Sequence, residues 1–313
     1  MIWILLVIII AFSLWLMGNH FVEKAQNIQK LKYSTNKSLA SNVNYQTKPY
    51  EPGTICIDMH KWFLEKTDKK EYYLLSDNGL KLHAYYIEAQ QQTHNYIINL
   101  HGYTSNADNI GNITHKFYSL GYNVLIPDAR AHGLSEGTFT TMGFLERFDV
   151  IKWINLIIEM DAQANIILYG VSMGAATVMF TLGEELPQNV KCAIEDCGYS
   201  SVWDEFSYEL HHSYHLPIFP ILYIAELISK VRLGFTYHQA SAIQQLKKAK
   251  IPILFIHGDA DAFVPFYMLD EVYTAHPGIK EKLVVKGAGH GKSSTVATQL
   301  YWQTVENFIK LYQ

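Results

Sequence analysis

The longest stretch without a charge comes first. From Ile2 to Val22 the chain reads IWILLVIIIAFSLWLMGNHFV, with no Asp, Glu, Lys or Arg. A span across a bilayer needs ~20 mostly apolar residues in a helix, so residues 1–22 are expected to form a single-pass anchor in the cell membrane. No Lys or Arg precedes the run and no A-x-A-like site follows it, which argues against a cleaved signal peptide. Lys24, Lys30, Lys32 and Lys37 all follow it. The positive-inside rule then favours a cytoplasmic catalytic domain, although long domains are translocated regardless of such charges and either side stays open. Residues 23–70 read as a tether with an early helical segment, rich at first in Asn, Gln, Ser and Lys. On this reading, deleting residues 1 to 25 should release the protein from the membrane with its activity kept.

From Glu71 the pattern changes to short β-forming runs. EYYLLSDNGLKLHAYYIEA, Glu71 to Ala89, reads as a hairpin turning at Asp77-Asn78-Gly79. Apolar runs then end at Leu100, near Pro127, at Gly170, near Asp196, at His257 and near Lys286. They are continuous rather than alternating, as expected of strands buried on both faces. Between them lie amphipathic stretches of helical period at Ala107 to Leu120, Met142 to Met160, Met173 to Leu186, Pro265 to His276 and Ser294 to Leu311. Strand alternating with helix predicts an α/β domain over residues 71–313, its sheet mostly parallel and doubly wound after an antiparallel start. One interval breaks the rhythm, an aromatic- and histidine-rich insertion at about 199–250.

Composition narrows the function classes. With 49% hydrophobic and 17% charged residues in 313, the chain suits one large core. A net charge of -4 and the lack of a basic stripe exclude nucleic acid as the expected partner. The cysteines, Cys56, Cys192 and Cys197, form no CxxC pair and no disulfide framework. Cys192 and Cys197 flank an apolar run and are expected as buried free thiols.

Ligands of an open α/β sheet bind beyond the carboxyl ends of its strands, so the residues at those ends carry the chemistry. In ILYGVSMGAA a serine, Ser172, stands between two glycines, after β-formers and before helix-formers. This is the G-x-S-x-G pattern of a nucleophile elbow, where a tight turn projects the hydroxyl above the sheet. The first free N–H of the following helix, that of Met173, faces a developing oxyanion. HGYTSN after the preceding strand offers a second donor in the N–H of Tyr103, with Gly102 allowing close approach. His290, in KGAGHGKSS after the last strand, is placed to take the serine's proton. HGDADAFVP offers Asp259 and Asp261 to orient that histidine. The order serine, acid, histidine favours Asp261. Asp259 suits a turn-holding role, and Asp196 ends the preceding strand as a further alternative. His211, His212 and His215 lack an acid or cysteine at metal-ligand spacing and read as cap surface, so no metal is expected.

With these motifs in order, the sequence resembles the α/β-hydrolase superfamily of serine esterases and lipases, notably bacterial members with an HGYTS-like segment and a D-x-R-x-H-G-x-S turn. Here that turn is Asp128, Arg130, His132, Gly133 and Ser135. The resemblance covers roughly Glu71 to Gln313 and extends to bacterial proteins with a hydrophobic N-terminal segment. It implies an acyl-enzyme mechanism without a cofactor, acting on a small-molecule or lipid-like ester, with structural roles for Asp128 and Arg130. It also places a lid at the insertion, where LPIFPILYIAELISKV would form a cap helix and Trp203, Phe206, Tyr208, Phe219 and Tyr223 would either line an acyl site or pack the cap down. The expected activity is that of a carboxylesterase, extending to thioesters or amides. The alternatives are an acyltransferase or a serine peptidase on the same triad, and a non-enzymatic membrane-tethered binding protein.

Overall fold

Eight strands form one sheet in the computed structural model, which describes residues 2–31, 61–65 and 68–313. They are β1 (Lys70–Leu75), β2 (Lys81–Ile87), β3 (Asn95–Leu100), β4 (Asn123–Pro127), β5 (Asn165–Val171), β6 (Val190–Asp196), β7 (Ile253–Gly258) and β8 (Lys280–Val285). Their order is β1-β2-β4-β3-β5-β6-β7-β8. The pairs β1–β2 and β2–β4 are antiparallel and the rest parallel. The helices are α1 (Ile2–Ala25), α2 (Gly111–Ser119), α3 (Glu146–Met160), α4 (Met173–Leu182), α5 (Val202–His212), α6 (Ile221–Leu233), α7 (Ala242–Leu246), α8 (Tyr267–Ala275), α9 (Ser293–Val296) and α10 (Thr298–Tyr312).

The central strands are apolar throughout because each face of the sheet is covered. In β5, Ile166 and Leu168 join the core packed by α3, α4 and α8, while Ile167 and Tyr169 join the core packed by α2 and α10. The edge strand β1 has no buried residue and alternates between exposed and half-buried positions along most of its length. The fold is therefore the mostly parallel, doubly wound sheet that the sequence pattern predicts.

Several helices are shorter than their apolar periods suggest, and each has a local cause. Asn106 caps a 3-10 turn at Ala107–Ile110 by accepting from the N–H of Asn109, so α2 starts later. Met142 has φ +55, which delays α3 to Glu146. Gly183 ends α4. Ala297, at φ -125 and ψ 51, separates α9 from α10.

The insertion between β6 and β7 holds two larger helices, α5 and α6, and its ends are joined by a bridge between Ser201 and Ser241. α1 is long and apolar enough to cross a membrane. Its C-terminal third is not a free tether. Val22 and Gln26 are fully buried. The N–H of Ile28 donates to the carbonyl of Thr138 at 3.0 Å, and that of Thr140 to the carbonyl of Gln26 at 2.9 Å. The remaining tether reading, for residues 32–60, and Cys56 lie outside the described residues. Cys192 and Cys197 are buried free thiols, both pushed upward in pKa by burial.

Candidate active site

β5 delivers Ser172 into a turn that few residues adopt. Its φ of 57 and ψ of -119 lie outside the ordinary regions for a non-glycine residue, a conformation that costs ~1–3 kcal/mol and survives only where its surroundings enforce it. The flanking glycines allow it sterically. A Cβ on Gly170 would fall 2.3 Å from the carbonyl carbon of Gly174, and one on Gly174 would fall 2.2 Å from the carbonyl oxygen of Leu100. Strand, elbow and helix pack backbone to backbone here, and the serine hydroxyl stands at the floor of a cavity.

Ser172, His290 and Asp261 are brought together across the carboxyl edge of the sheet. Ser172 Oγ is 2.8 Å from His290 Nε2, and His290 Nδ1 is 2.8 Å from Asp261 Oδ2. With Asp261 ionised, Nδ1 carries the proton and Nε2 accepts from the serine hydroxyl. Burial alone would raise the Asp261 carboxyl. Hydrogen bonds from His257 and His290, with the backbone N–H of Phe263, instead hold it well below the usual carboxylate range. Phe263 lies beside the His290 ring, with centroids 4.9 Å apart.

The other two acids weighed from sequence do different work. Asp259 accepts from the N–H of Gly287 and so ties its turn to the loop that precedes His290. Asp196 accepts from the Tyr301 hydroxyl at 2.9 Å, at the end of a chain that runs on to Tyr169.

Met173 opens α4, and Tyr103 stands in the loop after β3. Among the described residues, neither backbone N–H donates to a backbone or side-chain acceptor. The loop carrying Tyr103 is fixed from below by the D-x-R-x-H-G-x-S turn. Asp128 accepts from the N–H groups of Ala107 and Leu134 and pairs with His83 Nδ1 at 2.8 Å. Arg130 makes a two-pronged pair with Asp149. His132 Nε2 accepts from the N–H of Thr104 at 3.3 Å.

A cavity of about 820 Å³ lies over Ser172. Of the five insertion aromatics, Phe206 lines it. Trp203 stacks on His238, and Phe219 and Tyr223 are exposed. His211, His212 and His215 are exposed at and beyond the end of α5. Three further contributors become visible in the folded chain. His257 is a second partner of Asp261, 3.3 Å from Oδ2. Its signal was a histidine ending a strand four residues before the acid. Eight residues of α1, from Leu16 to Ala25 without Gly18 and Val22, form one wall of the cavity. Deletion of residues 1 to 25, expected from the sequence to leave activity intact, would take these lining side chains away; the Gly18-Asn19-His20 break in the apolar run is the sign of this in the sequence.

Glu205 is the third. It faces the cavity from α5, is 2% exposed, and neither carboxyl oxygen has a partner among the described residues. Burial, then the nearby Glu209 and Asp261, push its pKa well above the ordinary value. Its native form thus keeps a proton that the unfolded chain loses above about pH 4.3. Stability should fall as pH rises from there to the native pKa, by up to ~1.4 kcal/mol per unit. Glu205→Gln keeps the shape and removes the titration. Its melting temperature should exceed the parent's at about pH 8.5, with the gain shrinking toward zero near pH 5. Thermal unfolding across that range checks this, and a gain independent of pH would contradict it.

Residues 91–205 match the family described as serine aminopeptidase, S33. Over 246 residues the chain is 32% identical to the uncharacterized protein YqkD of Bacillus subtilis, covering 78% of this chain and 80% of the other. In three dimensions it is similar to the Pyrococcus furiosus esterase Pf2001, with a TM-score of 0.65, 24% identity, and coverage of 79% of this chain and 92% of that one. It is also similar to the Pyrococcus horikoshii acylaminoacyl peptidase, with a TM-score of 0.59 and 17% identity, over 77% of this chain and 41% of that one. Both structural likenesses are likenesses of fold.

Proposed function

The chain belongs to the α/β-hydrolase superfamily, and on that premise we propose that it is a membrane-anchored serine hydrolase that cleaves carboxylic esters through an acyl-enzyme on Ser172. The observation that carries the reading is the unbroken hydrogen-bond relay from Ser172 through His290 to Asp261, with both distances at 2.8 Å. As Ser172 Oγ bonds to the ester carbonyl carbon, its proton passes to His290 Nε2. The carbonyl oxygen becomes an oxyanion, held by the N–H groups of Met173 and Tyr103. Collapse breaks the bond to the alcohol, which leaves with the proton from His290. Water then attacks the acyl-serine, gives a proton to His290, and the acid departs as that proton returns to Ser172. Asp261 stays ionised and balances the imidazolium.

The cavity favours an apolar acyl group, since Met142, Phe206, Leu210, Ile221 and Phe263 are among its lining. α1 serves as the single-pass anchor in the cell membrane. The test is turnover of p-nitrophenyl butyrate by the full-length protein, with products resolved in the presence of glycerol. Free butyrate as the main product is expected. Glyceryl butyrate as the main product would make the protein an acyltransferase, and turnover of acyl-peptides alone would make it a peptidase.

A further inference from the structure

The helix that opens the chain is built into the cavity over Ser172. Met17, His20, Phe21 and Lys24 of α1 line the same cavity as Ser172, Tyr103 and Phe206. Phe21 meets Phe206 edge-on, with centroids 5.3 Å apart. A Cβ on Gly18 would lie 2.6 Å from Ile224 Cγ2, so α1 and α6 touch at the level of that glycine. The Tyr103 hydroxyl donates to the carbonyl of Ala25 at 2.8 Å. The end of α1 is thereby bonded to the loop that carries the proposed oxyanion donor.

The same helix leaves the body as an exposed apolar rod. Ile2 to Leu16 hold large apolar side chains that face outward at nearly every position. Charges collect where rod and body meet. Arg232 pairs with Glu23 at 2.7 Å and with Asn19 at 2.7 Å, Lys30 pairs with Glu23 at 2.5 Å, and the Lys24 ammonium sits 4.2 Å over the Tyr214 ring. Basic and aromatic side chains bounding an apolar segment mark the polar face of a bilayer. Beside them Leu216, Phe219 and Tyr223, at the entry to α6, are exposed and apolar. The cavity thus lies at the end of the exposed apolar part of α1, and the helix runs from that part into its wall.

We propose that the substrate is a single-chain acyl ester drawn from the membrane, and that α1 is the wall along which its acyl chain lies. This rests on the ester-hydrolase reading above and extends it from reaction to substrate class. A cavity of about 820 Å³ falls in the ~300–1,000 Å³ range that encloses one small-molecule ligand, which is ample for one acyl chain. The helix then sets specificity as well as location. The groups next to the reacting carbon come from the sheet edge, and the groups next to the chain come from Met17, His20 and Phe21.

The test uses the full-length protein in phosphatidylcholine vesicles. Two alkyl fluorophosphonates are compared, one ethyl and one dodecyl with a terminal diazirine. Ser172 Oγ displaces fluoride at phosphorus while its proton passes to His290, and irradiation then expels dinitrogen and inserts the chain end into a neighbouring bond. Both reagents should modify Ser172, the dodecyl one at least about tenfold faster. Its cross-link should fall in the tryptic peptide that ends at Lys24. Modification of Ser172 with cross-links only outside that peptide would overturn the proposal and leave the hydrolase reading standing. No modification of Ser172 would overturn both. As an independent check, Phe21→Trp narrows the cavity, and should lower kcat/KM for a dodecanoyl ester about tenfold more than for an acetyl ester. Equal losses on the two esters would overturn the assignment of the wall.

Discussion

Replacing Ser172 by alanine should slow hydrolysis of p-nitrophenyl butyrate by roughly 10⁴-fold or more, because it removes the oxygen that would carry the acyl group. The fold should scarcely notice. Alanine at φ 57 is as strained as serine, so the substitution neither relieves nor adds backbone cost. The lost hydroxyl leaves His290 Nε2 facing a cavity that admits water. Melting temperatures within about 2 °C of the parent are therefore expected. Rate and thermal unfolding measured on one preparation separate a missing nucleophile from a misfolded chain. A variant that kept a tenth of the parent's rate would place the chemistry on another residue.

Asp261→Asn should cost nearly as much, about 10⁴-fold in kcat, through the proton on the histidine rather than through loss of a nucleophile. Asp261 Oδ1 accepts from the N–H groups of Phe263 and Val264 at 2.9 and 3.0 Å, and Oδ2 lies 2.8 Å from His290 Nδ1 and 3.3 Å from His257 Nε2. An asparagine must turn its amino group to one of these sides. Toward the loop it meets two N–H donors. Toward the histidines it makes Nδ1 an acceptor and moves the ring proton to Nε2, where it points at Ser172 instead of accepting from it. Asp259→Asn is the matched control: its amide oxygen still accepts from Gly287, and its rate should stay within about threefold of the parent's. Steady-state kinetics of the pair decide between them, and equal losses would deny Asp261 its special place.

What could be read from sequence was whatever physics forces into short, ordered spacing. The elbow is one case. A hydroxyl lifted over a sheet needs glycines two residues to either side, and Gly170, Ser172 and Gly174 meet that need within five positions. The strands were legible because burial on both faces leaves continuous apolar runs, and β5 places alternate residues in the two cores. Asp259 and Asp261 share one loop, so chain order could favour one of them but only the path of the backbone decides which faces His290. His257 reads as one more residue of a strand until β7 is folded beside the loop it precedes. Glu205 and Glu209 lie four apart on an amphipathic helix, a pattern that ordinarily means solvent. They are drawn from water because α1 and the cap close over them, which is a tertiary event. The same holds for α1. An apolar run announces a membrane, and only the break at Gly18-Asn19-His20 hints that its last turns belong to a cavity.

The proposed hydrolysis turns on one oxygen atom acting as nucleophile because one imidazole relieves it of its proton. Ethyl fluorophosphonate added to the full-length protein, with the adduct located by peptide mass mapping, tests this most directly. A single phosphonyl group on the peptide containing Ser172, appearing in step with loss of esterase activity, is the predicted result. Activity that survives full modification of that serine, or vanishes with the label on another residue, would contradict it.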